Sequence, residues 1–206
     1  MTAPLTAADV ESFERCLAVG GVALFPTDTV YGLGTDPESE EGLARLYRLK
    51  GRPADRPAAV MFFELELALA ALAEVGPRTR AALERLLPGP LTLLLPNPAR
   101  RYPLACGPVP ERLGLRVPAL PARLAALAAA RWPVLQSSAN RSGGTDVRRL
   151  EDVPESIRRG VDLQLDGGEL PGTASTVADL THYEDEGLYE VLREGAVATE
   201  VLAELL

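Results

Sequence analysis

One histidine, two cysteines and one lysine are all that this 206-residue chain holds of three side chains on which much enzyme chemistry depends. A lone His182 excludes a histidine-rich metal site and gives little basis for a Ser–His–Asp triad or a Cys–His pair. It stands among Thr181, Tyr183, Glu184 and Asp185, where a solvated loop is expected. Cys16 and Cys106 are far apart and form no metal-ligand spacing, so Cys16 is expected as a buried thiol. No stretch approaches the ~18 uninterrupted apolar residues of a membrane-spanning helix. The opening MTAPLTAADV has neither the basic run nor the apolar core of a signal peptide, so the expectation is a cytoplasmic protein with no membrane association. Positive charge is also short: 21 Lys and Arg against 29 Asp and Glu give a formal net charge of −8. Such a surface attracts nucleic acid and anionic membranes poorly, so any polyanion must be met by a local cluster of cations.

What is present alternates between helix and strand. Thr6 can cap a helix to about Val19, ended by Gly20 and Gly21, and GVALFP then reads as a short buried strand. The polar TDTVYGLGTD is expected as a loop, and Ser39 with Glu40 and Glu41 as the start of a second helix stopped by Gly51 and Pro53. AAVMFF is a strand candidate, ELELALAALAEV a helix, and Pro77 opens another. LTLLLP and LGLRVP read as strands, LPARLAALAAARW as a helix and PVLQS as a strand running into SSANRSGG. VDLQL, STVADL and LYEVL are further strands, followed by a helix from about Val197. With no repeats, linkers or composition break, residues 1–206 are expected to form one α/β domain with a mixed sheet.

In open α/β sheets ligands sit at the carboxyl ends of strands. The loops PTDTVYGLGTD, SSANRSGG and DGGELPGTAST qualify, yet none has the order of a phosphate-binding P-loop or a GxGxxG turn. The poverty in nucleophiles leaves chemistry that needs positioned cations and hydrogen-bond donors, of which phosphoryl and nucleotidyl transfer are examples.

The stretch RLYRLKGRPADR gathers Arg45, Arg48, Lys50, Arg52 and Arg56. A solvated helix face would explain such a run. However, Lys50 and Arg52 flank the helix break at Gly51, and Lys50 is retained in a chain with twenty arginines. A compact ammonium suits a crowded phosphate site better than a broad guanidinium fork does. Arg116, in the apolar LGLRVP, must face outward or bind an anion, for which a carboxylate is a natural bidentate partner. Ser138 and Asn140 suit a phosphate or a ribose as well as a turn. Asp28 and Asp36 could hold magnesium, with loop capping the plainer role; no metal ligand is identified.

PTDTVYGLG, KGRP after a helix, GPLTLLL, LRVP, SSANRSG, STVADL and LREGA occur in the order found in the YrdC-like L-threonylcarbamoyladenylate synthases. The chain resembles that family from about residue 8 to 200, and the combination of motifs is far more specific than any one of them. The resemblance implies a twisted mixed sheet around a concave cationic cavity. It implies formation of threonylcarbamoyl-AMP and pyrophosphate from L-threonine, bicarbonate or CO2, and ATP as substrate, with Mg2+ accompanying the ATP. The product would pass to downstream tRNA threonylcarbamoyl-transfer proteins. By the same resemblance Lys50 and Arg52 are the catalytic cations on the ATP phosphates, Ser138, Asn140 and Arg193 complete the nucleotide site, and Thr29, Arg116 and Ser175 surround the threonine. Two residues depart from the pattern: Arg56 replaces an Asn near the nucleotide, and Met61 stands where some members place a His near the threonine. The length corresponds to the short form of the family. A paralogue acting on another carbamoyl compound would keep the phosphate residues and change the threonine pocket. A module binding tRNA or structured RNA would use Arg141, Arg148, Arg149, Arg158 and Arg159 as a basic track.

Overall fold

Leu91, Leu93 and Leu95 are buried along strand β4 (Leu91–Pro96), whereas Thr92 and Leu94 between them are half-buried. The alternation follows from the two-residue period of a strand and sorts the central sheet into a core face and an open face. The computed structural model describes residues 2–206. Its remaining strands are β1 (Ala23–Phe25), β2 (Gly32–Thr35), β3 (Ala59–Met61), β5 (Arg112–Arg116), β6 (Val134–Ser138), β7 (Leu163–Gln164), β8 (Thr176–Asp179) and β9 (Glu190–Arg193). They form one sheet in the order β7-β1-β2-β6-β3-β5-β4-β8-β9. The pairs β1–β7, β3–β5 and β4–β8 are parallel and the other five antiparallel, so the sheet is mixed, as expected.

The helices begin and end on local chemistry. Helix α1 (Ala7–Ala18) opens with a capping box in which the Thr6 hydroxyl accepts from Asp9 N and the Asp9 carboxylate accepts from Thr6 N. Helix α2 (Glu40–Lys50) is capped by the Ser39 hydroxyl and has Glu40 and Glu41 in the first turn, where carboxylates complement the helix dipole. It ends at Gly51, which adopts φ 61° and donates its N–H to the last-turn carbonyls. Nothing crowds Gly51, so the left-handed backbone rather than lack of space favours glycine there. Helices α3 (Leu65–Ala71), α4 (Pro77–Leu86), α5 (Pro103–Cys106), α6 (Glu155–Arg158), α7 (Tyr183–Glu186) and α8 (Thr199–Leu205) follow. Phe13 of α1, Phe25 of β1 and Phe63 pack ring against ring in the core.

Three expectations change. The stretch TDTVYGLGTD is not all loop, because its GLGT forms β2 between β1 and β6. Two glycines weaken the strand signal, but a Cβ at Gly34 would lie 2.4 Å from Val134 Cγ1 and 2.8 Å from the Phe25 ring, so the strand is squeezed where no side chain fits. The alanine-rich segment folds as a 3-10 helix over Ala122–Ala129, and its buried Leu124 and Leu127 stand at the three-residue spacing which that helix stacks on one face. Helix α3 covers only part of ELELALAALAEV.

Candidate active site

The open face of the sheet forms a cavity of about 380 Å³. Its floor is small, with Gly32, Ala59 and Gly114 contributed by three strands. Strand β5 places Arg112, Gly114 and Arg116 at alternate positions, one arginine at each end of a gap that Gly114 leaves clear. Arg52 and Arg193 complete four arginines in the wall, against Asp146 as the one carboxylate. In a protein of net charge −8, this is the local concentration of cations that an anionic ligand needs.

Arg116 is 3 % exposed, and its Nη2 donates to Asp28 Oδ1 at 2.8 Å and to Thr29 Oγ1 at 3.2 Å. The other Asp28 oxygen accepts from Ala119 N at 3.0 Å, which ties the loop after β1 to the segment after β5. Burial pushes the Asp28 carboxyl above its ordinary range, with Arg116 and the Ala119 N–H opposing the rise. Arg116 Nε is buried and has no partner in the protein. Such an orphaned N–H carries a desolvation cost that a ligand oxygen would remove. Thr29, 1 % exposed, is held in place by a Thr27 hydroxyl that accepts from the Thr29 and Val30 amides.

The segment after Gly51 delivers Arg52 to the wall, where its Nη2 donates to Pro57 O at 2.7 Å and its guanidinium lies over the Tyr47 ring. Arg52 Nε is a second buried guanidinium N–H without a partner. Lys50 takes a different position from the one the phosphate argument assigned to it. It is 2 % exposed and absent from the cavity wall. Its ammonium donates to the backbone carbonyls of Ser138 and Asn140 and to Asn140 Oδ1. The Ser138 hydroxyl donates to that same Oδ1 at 2.6 Å, and Asn140 Nδ2 donates to Gly144 O. Burial pushes the Lys50 pKa down to about 8, helped by Arg52 and opposed by Asp146. Ser138 lines the cavity and Asn140 stands behind it.

Arg193, on the edge strand β9, donates from Nη2 to Ser175 O at 2.7 Å and lies 3.4 Å from Ser175 Oγ. The Ser175 hydroxyl shares a hydrogen bond of 2.8 Å with Thr92 Oγ1, so β4 and β8 present two hydroxyls to the cavity. Arg52, Arg116, Ser138, Ser175 and Arg193 therefore meet in one wall, with Thr29, Lys50 and Asn140 directly behind. Sequence reasoning missed Thr92, Arg112 and Asp146. The half-buried alternation of LTLLLP marks Thr92, and strand period from Arg116 marks Arg112, whereas nothing in the sequence distinguishes Asp146 from an ordinary loop carboxylate.

Other candidates lie elsewhere. Met61 is fully buried in the core, in register with Arg116 but outside the cavity wall. Arg56 is exposed; its carbonyl accepts from the Tyr47 hydroxyl and its backbone N–H donates to Pro53 O at 3.2 Å. Asp36 caps a turn by accepting from Glu38 N at 2.8 Å. The proposed basic track is largely neutralised, because Arg148 pairs with Glu169, Arg149 with Glu151 and Arg159 with Glu155. His182 is exposed, 3.7 Å from Glu186. Among the described residues no group of three or more His, Cys, Asp or Glu side chains converges as a metal site, and no helix is long and apolar enough to cross a membrane.

Comparison with known proteins agrees with this fold. A Pyrococcus abyssi threonylcarbamoyl-AMP synthase is 31 % identical over 188 residues, covering 91 % of this chain and 54 % of the relative. A Chromohalobacter salexigens protein of the same name is 34 % identical over 177 residues, covering 85 % and 94 %. The chain thus spans about half the length of the Pyrococcus abyssi and Bacillus subtilis relatives that it matches. Among solved structures, P. abyssi Sua5 complexed with L-threonine superposes with a TM-score of 0.84 at 28 % identity, over 98 % of this chain and 58 % of that one. Escherichia coli YciO superposes with a TM-score of 0.78 at 25 % identity, over 96 % and 94 %. The Sua5/YciO/YrdC family model, described as telomere recombination, matches residues 15–195, and the chain belongs to that family.

Proposed function

We propose that the chain is an L-threonylcarbamoyladenylate synthase, a nucleotidyltransferase that joins L-threonine, bicarbonate or CO2, and ATP into threonylcarbamoyl-AMP and pyrophosphate. The observation that carries the reading is the pair of buried, unpartnered arginine Nε groups, at Arg52 and Arg116, in one cavity lined by four arginines. Two separated anion sites suit a substrate pair in which one partner ends in a carboxylate and the other in a triphosphate. The names of the relatives support the same assignment.

Arg116, in the cavity wall, holds the threonine carboxylate, while Thr29, buried at its Nη2, fixes the guanidinium. Ser175 and Thr92 offer hydroxyls beside it. The threonine amine adds to CO2 and releases a proton to solvent, giving a carbamate. A carbamate oxygen attacks the α-phosphorus, forming a P–O bond as the bond to the leaving pyrophosphate breaks. No protein nucleophile is required, in keeping with an exposed His182 and two thiols outside the cavity wall. Arg52 and Arg193 offset the charge of the triphosphate and of the departing pyrophosphate, with Ser138 at the cavity wall and Lys50 and Asn140 completing the set from behind. A pair of unit charges 4 Å apart at an effective dielectric near 20 is worth about 4 kcal/mol, so two such contacts matter.

The donor set does not fit a resident magnesium ion: Asp28 is occupied by Arg116 and Ala119 N, Asp36 by Glu38 N, and Asp146 stands alone in the cavity. Magnesium accordingly arrives with ATP, held by phosphate oxygens and water. The product is passed to downstream proteins that transfer the threonylcarbamoyl group to tRNA in the cytoplasm. The test is pyrophosphate release from ATP by the purified chain, in bicarbonate, with and without L-threonine. Release that depends on threonine is expected, and release indifferent to threonine in folded protein overturns the assignment.

A further inference from the structure

The geometry points to Tyr47 as a positioning residue, whose ring and hydroxyl set the direction of Arg52 and the shape of the loop Arg52–Pro57 that follows α2. Only the phosphate that Arg52 meets rests on the synthase reading. The placement begins in the way α2 stops. Gly51 N donates to Arg48 O at 3.2 Å and Arg52 N to Tyr47 O at 2.9 Å, the paired closing bonds of a helix ended by a left-handed glycine. That closure turns the chain back, so that the side chain after the glycine falls over the one five residues before it, a contact that is usually apolar. Here it is a guanidinium on an aromatic face, with Arg52 Cζ 5.7 Å from the centre of the Tyr47 ring. Tyr47 is 4 % exposed and packed into the core, whereas an arginine has several rotatable bonds to fix. A rigid buried face thus holds a flexible cation. Tyr47 is absent from the cavity wall and Arg52 is part of it, so the tyrosine acts through the arginine.

The hydroxyl adds a second hold. Residues 53–57 are all exposed, so no buried side chain fixes their path and hydrogen bonds must do so. The Tyr47 hydroxyl donates to Arg56 O, Arg56 N to Pro53 O at 3.2 Å, and Arg52 Nη2 to Pro57 O at 2.7 Å. Outside the loop, Ala58 N donates to Ala105 O at 2.8 Å, and a Cβ at Gly107 would lie 2.7 Å from Asp55 O. The loop therefore closes on Arg52 itself, and Tyr47 touches both of its ends, the guanidinium with its ring and Arg56 with its hydroxyl. Burial holds the phenol above its ordinary pKa, with Arg52 opposing, so the hydroxyl remains a donor at neutral pH. Phenylalanine at this position would keep the ring and lose the latch; leucine would lose both.

The experiment measures binding of inorganic tripolyphosphate and of L-threonine to the full chain by calorimetry. The proteins are the wild type, Tyr47→Phe, Tyr47→Leu, Arg52→Ala and the double variant Tyr47→Phe with Arg52→Ala. Tyr47→Phe is expected to weaken tripolyphosphate binding about fivefold and Tyr47→Leu about tenfold or more. Threonine affinity should stay within about twofold of the wild type in both, because Arg116 and Thr29 do not touch the loop. With Arg52→Ala already present, Tyr47→Phe should change tripolyphosphate affinity by less than about twofold, since the guanidinium it positions is gone. A tyrosine that merely supports the fold would weaken both ligands together and keep its effect without Arg52. Either result overturns the inference, as does tripolyphosphate affinity that is unchanged in Tyr47→Phe or absent in the wild type. Tyr47→Phe retains the buried ring, so the test stands even where Tyr47→Leu fails to fold. Turnover separates the two readings: the KM for ATP should rise in Tyr47→Phe while the KM for threonine holds. A wild type that neither binds threonine nor releases pyrophosphate with it sinks the synthase reading, and the tripolyphosphate cycle still decides the role of Tyr47.

Discussion

Asp28 Oδ1 accepts from Arg116 Nη2 at 2.8 Å across 88 residues of sequence, with each side chain 4 % exposed. A buried ion pair is a weak source of net stability, yet breaking it is expensive because one charge is left without compensation. Here the pair also orients a guanidinium whose buried Nε has no partner in the protein. Asp28→Ala is predicted to lower unfolding stability by about 3–5 kcal/mol, and Arg116→Met by a similar amount. The double variant should lose clearly less than the sum, because each single change already removes the shared interaction. Urea unfolding of the three variants checks this, and strictly additive losses would show that the two groups act independently.

Arg193 sits on an exposed edge strand, so its removal should leave the fold alone. Arg193→Ala is predicted to shift stability by no more than about 0.5 kcal/mol. Loss of a charge-assisted bond to phosphate should weaken ATP binding by about tenfold or more. Calorimetric titration with ATP alongside thermal unfolding separates the two effects. Unchanged ATP affinity would remove Arg193 from the nucleotide site.

The scarcity of nucleophiles can be tested as a group. Cys16 is half-buried, and burial beside Asp162 pushes its thiol up to about 11, so little thiolate exists at neutral pH. Cys106 is buried and His182 is solvated. A chain with Cys16→Ser, Cys106→Ala and His182→Gln is predicted to keep turnover within about threefold of the wild type, since general acid–base or covalent roles contribute about a hundredfold or more where they exist. A larger fall in kcat, in protein of normal stability, would place one of these groups in the chemistry.

How far the sequence exposed the site depended on whether a residue acts through its type or through its environment. Capping signals at Thr6 and Ser39 and the glycine at Gly51 were readable because helix ends obey local rules. Arg116 stood out because a charge inside an apolar strand must be answered, but its answer, Asp28, is fixed by tertiary structure alone. Strand β2 was hidden by its glycines, since the steric demand at Gly34 comes from Val134 and Phe25 in other strands. Lys50 was conspicuous by rarity, and the phosphate argument asked for a small charge at that point. The oxygens around it are those of the protein's own loop, a fact that no spacing in the sequence encodes.

The same lysine gives a stability test. Its pKa in the folded chain is about 8, against an ordinary value of 10.5, with burial as the chief cause. Between those values the unfolded chain binds the proton and the folded chain does not, so unfolding must take up a proton. Stability therefore rises with pH across this window, by about 1.4 kcal/mol per pH unit for this group, and the cost of burying the charge is fully present below pH 8. Thiols and phenols of the unfolded chain lose protons in the same range, which is why the comparison must be made against Lys50→Met. The urea midpoint of the wild type, measured at pH 7.5 and pH 9.5, is predicted to gain relative to that of Lys50→Met over the same interval. Parallel midpoints for the two proteins would mean that the lysine keeps an ordinary pKa and that the ring of oxygens compensates its burial in full.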